Sequence, residues 1–262
     1  MGYFAFFLMG ITLGTFGGGG SILTLPILVY FFAVPATEAT FYSLFVVGIA
    51  ALMGALPFVR KEGLEIKKLL LFLVPSFIGV FIARRVLLPA VPATIDFSFF
   101  QLTRDAFLIF LFSLLMVVAA WRMLRPALGV TAEPSPSNAT FKLLLAGLFV
   151  GALAGFLGAG GGFMIVPALV LLVGWNMKKA IGNSLVIISL QSLFGFILGG
   201  VREMPIQWEL LVFSSLVAVA GILSGRLVLS SMSDQSLKRY FSYFILLLGL
   251  SMAAHQLWKI AA

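Results

Sequence analysis

Runs of about twenty apolar residues follow one another along almost the whole chain, and they restrict the possible folds more than any other feature. They fall at residues 3–33, 38–59, 68–91 and 103–124, then at 142–174, 179–200, 208–231 and 239–258. A helix of about 20 residues crosses a hydrocarbon layer roughly 30 Å thick, and it satisfies its own backbone on the way. With 61% hydrophobic and 10% charged residues and a mean hydropathy of +1.15, no soluble domain fits between the runs;. The expected fold class is an all-α polytopic membrane protein. Cysteine is absent, which excludes disulfides, thiolate metal sites and a thiol relay;. The net charge of +8 does not point to nucleic acid, because the basic residues sit in short inter-helix loops and form no run that follows a phosphate backbone;. The first segment lacks a basic n-region and an A-x-A-like cleavage site, so it reads as mature structure and not as a signal peptide;.

The chain also repeats itself. A shift of 141 residues places "GITLGTFGGGGSILTLPILV" (Gly10–Val29) over "GALAGFLGAGGGFMIVPALV" (Gly151–Val170) without a gap, and residues 10–54 share 13 identities in 45 positions with 151–195. The matches include Gly14/Gly155, Gly17/Gly158, Gly19/Gly160, Gly20/Gly161, Pro26/Pro167, Ala39/Ala180, Ser43/Ser184 and Gly54/Gly195. One inserted residue later, Gly79 pairs with Gly221 and Arg84 with Arg226. Two homologous halves are expected, residues 1–125 and 140–262, joined by a Pro- and Ser-bearing linker over 126–139;.

Each half opens with an apolar piece broken by glycines. The arms in the first half, 3–16 and 21–33, are near 20 Å long at 1.5 Å per residue, too short for a full span;. If the broken pieces turn back within the membrane, one face carries Arg60, Lys61, Lys67, Lys68, Arg122, Arg125, Lys142, Lys178, Lys179, Arg226, Lys238 and Arg239. The other carries Arg84, Arg85, Arg104, Arg202 and Lys259. If each piece crosses once, that bias disappears, so the positive-inside rule favours a re-entrant hairpin. Each half then has three transmembrane helices, an odd number, and the halves are inverted relative to each other. Both termini fall outside and the central linker in the cytoplasm of the cell that bears this plasma membrane, read here as a bacterial inner membrane.

Inverted repeats and discontinuous helices are transporter architecture, with substrate near the midplane where the broken helices end. Gly17, Gly18, Gly19, Gly20 and Ser21 in one half, and Gly158, Gly160, Gly161 and Gly162 in the other, would present backbone N–H groups at a helix start whose dipole favours an anion;. Pro26 and Pro167 make each second arm irregular;. Close helix packing is the competing use of glycine. It is the reading for Gly10-xxx-Gly14 and for Gly147-xxx-Gly151-xxx-Gly155, while the tips read as a ligand site;.

The doubled glycine-rich tip followed by proline, the stretch "MKKAIGNSL" after the second hairpin and "GILSGRLVL" near the end resemble the sulfite exporter TauE/SafE family of membrane permeases. The resemblance covers essentially the whole chain. It implies transport, usually export, of small sulfur-containing anions such as sulfite or organosulfonates, and of other organic anions. The family pattern has Thr-Ser where this chain has Asn183-Ser184 and, in the first half, Tyr42-Ser43.

Further candidates follow from placement. Ser43, Gly54, Ser184, Gln191 and Gly195 recur at spacings of 7 and 11, which keep side chains on one helix face;. Gln191, whose counterpart is Ala50, is expected near the midplane, where its amide contacts either substrate or a neighbouring helix;. Ser43 and Ser184 either face a cavity or bond to a carbonyl one turn earlier. Arg84 and Arg226 either snorkel or attract anions at the two mouths. Lys178 and Lys179 read as positive-inside anchors, and the lone His255 as interfacial;.

All nine carboxylates fall in loops or at helix ends, so anion movement is expected to need no proton partner;. Proton-coupled import and a non-transporting scaffold are the competing readings. An enzyme is not expected, because no catalytic constellation is present. No cofactor and no metal are implied. The expected partners are a small anion and membrane lipid, with homo-oligomerisation and docking of a cytosolic sulfur-carrier protein on the basic inner face left open.

Overall fold

The computed structural model describes residues 1–62, 66–92, 94–97, 100–125, 136–157, 161–198 and 206–261. Six helices among these are long and apolar enough to cross a bilayer: Glu38–Arg60, Ile66–Leu87, Phe107–Leu124, Met177–Ile197, Trp208–Ser231 and Asp234–Trp258. They match the six runs expected to span. Their outward faces carry exposed Ile78, Phe81, Leu114, Leu216, Leu227 and Leu247, an apolar surface suited to lipid and not to water;. The chain is a membrane protein.

In the first half, α1 (Gly2–Phe16) stops at Gly17, a 3₁₀ turn covers Gly18–Gly20, and α2 (Ser21–Phe32) follows. Gly17 has φ 72° and ψ −118°, a backbone conformation closed to side chains with a Cβ, and this is what ends α1;. Helix α3 (Ala36–Glu62) leads to α4 (Ile66–Ile82), which loosens into a π turn over Ala83–Leu87 and ends in the single turn α5 (Leu88–Ala90). Two strands, β1 (Thr94–Phe97) and β2 (Phe100–Thr103), then pair antiparallel, with Thr94 opposite Thr103 and Phe97 opposite Phe100. This short ribbon is an addition to a fold that is otherwise helical among the described residues. Its residues "TIDF" and "FQLT" are rich in β-branched and aromatic types and lie between apolar runs, where short strands find no helix to join;. Helix α6 (Arg104–Leu124) closes the half.

The second half repeats this order with α7 (Pro136–Leu157), a 3₁₀ turn over Gly161–Met164, α8 (Ile165–Ala168) and a π turn over Leu169–Val173. It continues with α9 (Met177–Leu198), α10 (Trp208–Ser231) and α11 (Asp234–Ala261). Helix α7 starts four residues inside the expected linker, at Pro136, a residue suited to a first helical turn;. Its 22 residues make this arm longer than its counterpart, although only Thr140–Gly155 is apolar. The irregular second arm expected from proline appears around Pro167, where the α-helix gives way to a π turn; α2 stays helical through Pro26;.

Packing recurs at equivalent positions. Helix α1 lies on α10 and α4 lies on α7, while α3 packs on α9 and α6 on α11. Glycines bring the first two pairs into backbone contact. A Cβ on Gly221 would meet the Phe7 carbonyl and come within 3.0 Å of the Gly10 Cα. One on Gly79 would meet the Leu148 carbonyl and come within 3.1 Å of the Gly151 carbonyl carbon. Likewise Gly10 faces the Ala218 carbonyl and Gly151 the Ser76 carbonyl. The same alignment that pairs Gly79 with Gly221 pairs Phe7 with Leu148, Gly10 with Gly151 and Ser76 with Ala218.

The second arms end alike too. Ala33 (φ 52°) and Gly174 (φ 82°) are left-handed, and beside them the Val34 and Trp175 amides each donate 3.1 Å to the carbonyls of Leu28 and Leu169;. In both halves this Schellman-type stop releases the chain into the next long helix.

Candidate functional site

The two broken helices meet at their tips. A Cβ on Gly18 would run into the carbonyl of Gly162 and lie 2.5 Å from the Phe163 Cα, so the strands of backbone touch with nothing between them. A Cβ on Gly17 would meet the Ser184 hydroxyl, and one on Gly162 would lie 3.3 Å from the Ser21 hydroxyl. The structure therefore gathers Gly17, Gly18, Ser21, Gly162 and Ser184 into one buried junction. Gly161 opens the 3₁₀ turn beside it, while Gly158 and Gly160 lie outside the described residues.

Within the junction the polar groups lean on their own helices. Ser21 Oγ donates to the Gly18 carbonyl at 2.7 Å, and Ser184 Oγ to the Ile181 carbonyl at 2.8 Å. Ser43, the repeat partner of Ser184, donates to the Thr40 carbonyl at 2.7 Å. Back-bonding of this kind satisfies the hydroxyl proton and leaves its lone pairs free. One turn past Ser21, the Thr24 hydroxyl is buried with no partner. Gly19 packs on Phe244, where a Cβ would come to 2.9 Å of the ring, and Gly20 on the Met9 carbonyl and Leu13. Close packing thus accounts for these two glycines.

Two candidates lie away from the junction. Gln191 donates from Nε2 to Ser76 Oγ at 2.6 Å, which ties α9 to α4, and Asn183 donates to the Lys179 carbonyl at 2.9 Å within its own helix. Of the two uses open to Gln191, the structure displays the interhelical bond. Replacing Gln191 with leucine is expected to cost stability by about 0.6 kcal/mol, the average for such bonds in membranes, and to leave anion flux per folded protein unchanged. A several-fold loss of flux at normal thermal stability would return Gln191 to the substrate.

A cavity of about 180 Å³ opens beside the junction. Gly14, Gly54, Gly182 and Phe58 are among its lining residues, and Lys178 and Arg226 supply its two positive charges. It lies at the end of the bundle where α3 and α10 finish and α9 begins. Neither Lys178 nor Arg226 forms an ion pair among the described residues. The Lys178 backbone N–H donates 2.9 Å to Asp234 Oδ1, and Asn176 Oδ1 accepts from the Lys179 N–H at 2.9 Å, so the start of α9 is held from two directions;. From sequence Lys178 reads only as an anchor and the pocket leaves no sign, because Phe58, Leu185 and Ile222 converge from three helices. Arg84 lies in the π turn at the opposite end, and its side chain is outside the described residues.

Six apolar spans, with two broken helices meeting inside them beside a basic cavity, define a polytopic membrane transporter. The family model described as "Sulfite exporter TauE/SafE" matches residues 3–252, and the chain belongs to that family. A "Probable membrane transporter protein" of Xylella fastidiosa (strain Temecula1 / ATCC 700964) is 28% identical over 262 residues, covering 96% of this chain and 92% of that one. A protein of the same description from Haemophilus influenzae is 26% identical over 79% of this chain and 74% of its own. The "Probable membrane transporter protein YjnA" of Bacillus subtilis is 30% identical over 42% of this chain and 45% of its own. No solved structure matches the chain significantly.

Proposed function

We propose that this protein is a permease that exports a small sulfur-containing anion, of the sulfite or organosulfonate class, through the junction of its two glycine tips. The observation that carries this reading is the contact of Gly18 with Gly162, which makes the two interrupted helices one paired element. The hydroxyls of Ser21 and Ser184 at that contact, and the unpartnered hydroxyl of Thr24 one turn away, favour a polar occupant. Helix starts facing the same point add partial positive charge.

The two halves act as inverted repeats in this reading, each with a re-entrant hairpin and three spans. Support comes from the exchange of partners between halves: α1 and α4 each pack on a helix of the other half, through the same glycine positions. The loop charges support an orientation with both termini outside and the linker inside;. The substrate class comes from the family, whose model is described as a sulfite exporter.

Glu38, Glu209 and Asp234 occupy first turns of their helices and not helix centres, which supports movement without a proton partner;. A membrane potential of 100 mV, inside negative, then drives each negative charge outward by about 2.3 kcal/mol. Sulfite flux in proteoliposomes at equal pH on both sides is expected to follow an imposed potential and reverse with its sign. Flux that requires a pH gradient would overturn uncoupled export, with Glu38 and His255 as the first residues to examine, and absence of flux for sulfite, sulfonates and carboxylates alike would favour a scaffold.

A further inference from the structure

We propose that the cavity bounded by Lys178 and Arg226 is an anion-receiving vestibule, the station at which small anions enter from the basic end of the bundle and from which cations are excluded. The inference rests on the permease reading above and adds to it a binding site, a sign of charge and a side.

Helices α3, α9 and α10 each supply residues at the mouth and others deeper in. Lys178 is followed along α9 by Gly182 and Leu185, a run of about 10 Å at 1.5 Å per residue;. Arg226 stands one turn outside Ile222 on α10, and Pro57 and Phe58 one turn outside Gly54 on α3. At the floor, a Cβ on Gly54 would meet Ile222 Cδ1 and lie 3.4 Å from Leu185 Cδ1, so an apolar seal closes the cavity. Directly behind that seal, Ser184 adjoins Leu185 in sequence and touches Gly17, while Gly14 lies one turn before Gly17. The vestibule thus ends one residue from the tip junction.

Its chemistry is set by two cations against apolar walls. Lys178 and Arg226 are half-buried and without ion pairs among the described residues, and the carboxylate nearest in the bonding pattern, Asp234, is engaged by the Lys178 backbone amide. Walls of low dielectric focus such a field, which raises local counter-ion concentration. A volume of about 180 Å³ admits a small inorganic or organic oxyanion and is below the usual range for larger ligands;.

The opposite end of the same architecture carries rings among the described residues. The repeat position of Gly182 is Phe41 and that of Ala55 is Phe196, and these two buried rings stack at 4.4 Å, with Phe45 at 5.0 Å from Phe196. Where Gly182 borders the cavity at one end, its repeat position at the other holds a stacked ring.

The absence of cysteine makes the test clean, because Ser230→Cys puts a single thiol at the mouth. Vesicles carrying this variant are treated with a sulfonate-bearing methanethiosulfonate and with its trimethylammonium counterpart, and the two rates are compared with those at Gln235→Cys, an exposed position at the same end. The anionic-to-cationic rate ratio is expected to be about tenfold higher at 230 than at 235, and to fall to the control value when Lys178→Gln and Arg226→Gln are combined. Labelling is expected from one vesicle face only. Equal ratios at the two positions, or a ratio unchanged by neutralising both cations, would overturn the vestibule; single neutralisations, each expected to remove part of the preference, cover a double variant that does not fold. Potential-driven sulfite flux through the unaltered protein is measured in parallel. Charge-selective labelling without flux removes the permease and keeps the vestibule, and flux without charge selectivity does the reverse.

Discussion

Gly18→Ala is expected to lower anion flux by at least about tenfold while the protein still inserts and folds. The added methyl would collide with the carbonyl oxygen and carbon of Gly162 and with the Phe163 Cα, all of them backbone atoms that no rotamer change can clear. The tips must separate, and overpacking of this kind costs about 1–3 kcal/mol. Because the strain falls on the junction itself, it disturbs the helix starts and the hydroxyls of Ser21 and Ser184 together. Gly195→Ala is the matched control, since its Cβ would lie 3.4 Å from Leu44 Cδ1, an ordinary contact. Flux of labelled sulfite per folded protein, with thermal stability measured on the same preparations, checks the prediction. Normal flux through Gly18→Ala would mean that the tip contact is only structural, and the anion path would have to lie elsewhere.

Much of the fold could be read from the chain because the membrane makes sequence pattern and structure nearly the same statement. A run such as residues 208–231 has no alternative to a helix once it is too apolar for water, and α10 has those bounds;. The break at Gly17 was legible for a related reason: four glycines in succession forfeit helix propensity that nothing else in the segment restores;. The ribbon of β1 and β2 and the early start of α7 were not legible. They lie in segments of mixed polarity, where neither the bilayer nor a long period decides between states;.

For the site, the sequence pointed to the two glycine tips but not to what Gly19 and Gly20 pack against. Gly19 meets Phe244, far along the chain, and Gly20 the Met9 carbonyl on the adjoining arm, contacts that become visible only once the tip is folded. The serines divide in the same way. Of the two uses considered for Ser184, the structure displays the bond to the Ile181 carbonyl, and the hydroxyl packs on Gly17. The vestibule was invisible because it is a space and not a motif: Gly182 carries no signal until Phe58 of another helix is seen to lie on it.

Substitutions at Gly79 and Gly221 are expected to be nearly equal in effect, although 142 positions separate them. Each glycine sits where its helix lies on the first arm of the other half, Gly79 over the Leu148 carbonyl and Gly221 over the Phe7 carbonyl, with Gly151 and Gly10 beside them. Without a hydrophobic drive between helices in lipid, such backbone approach is a main source of association, so a side chain that wedges it open has a large effect. Gly79→Leu and Gly221→Leu are each expected to destabilise by about 2–3 kcal/mol, within about 0.5 kcal/mol of each other, and to add when combined because the two interfaces share no residues. The alanine variants should show the same equality at smaller size. Unfolding in detergent provides the measurement. A loss at one position twice that at the other would mean that the halves do not use their crossed contacts equivalently. Two-state exchange between inverted halves would then lose its structural basis, because such exchange requires each half to be able to take the other's place at equal cost.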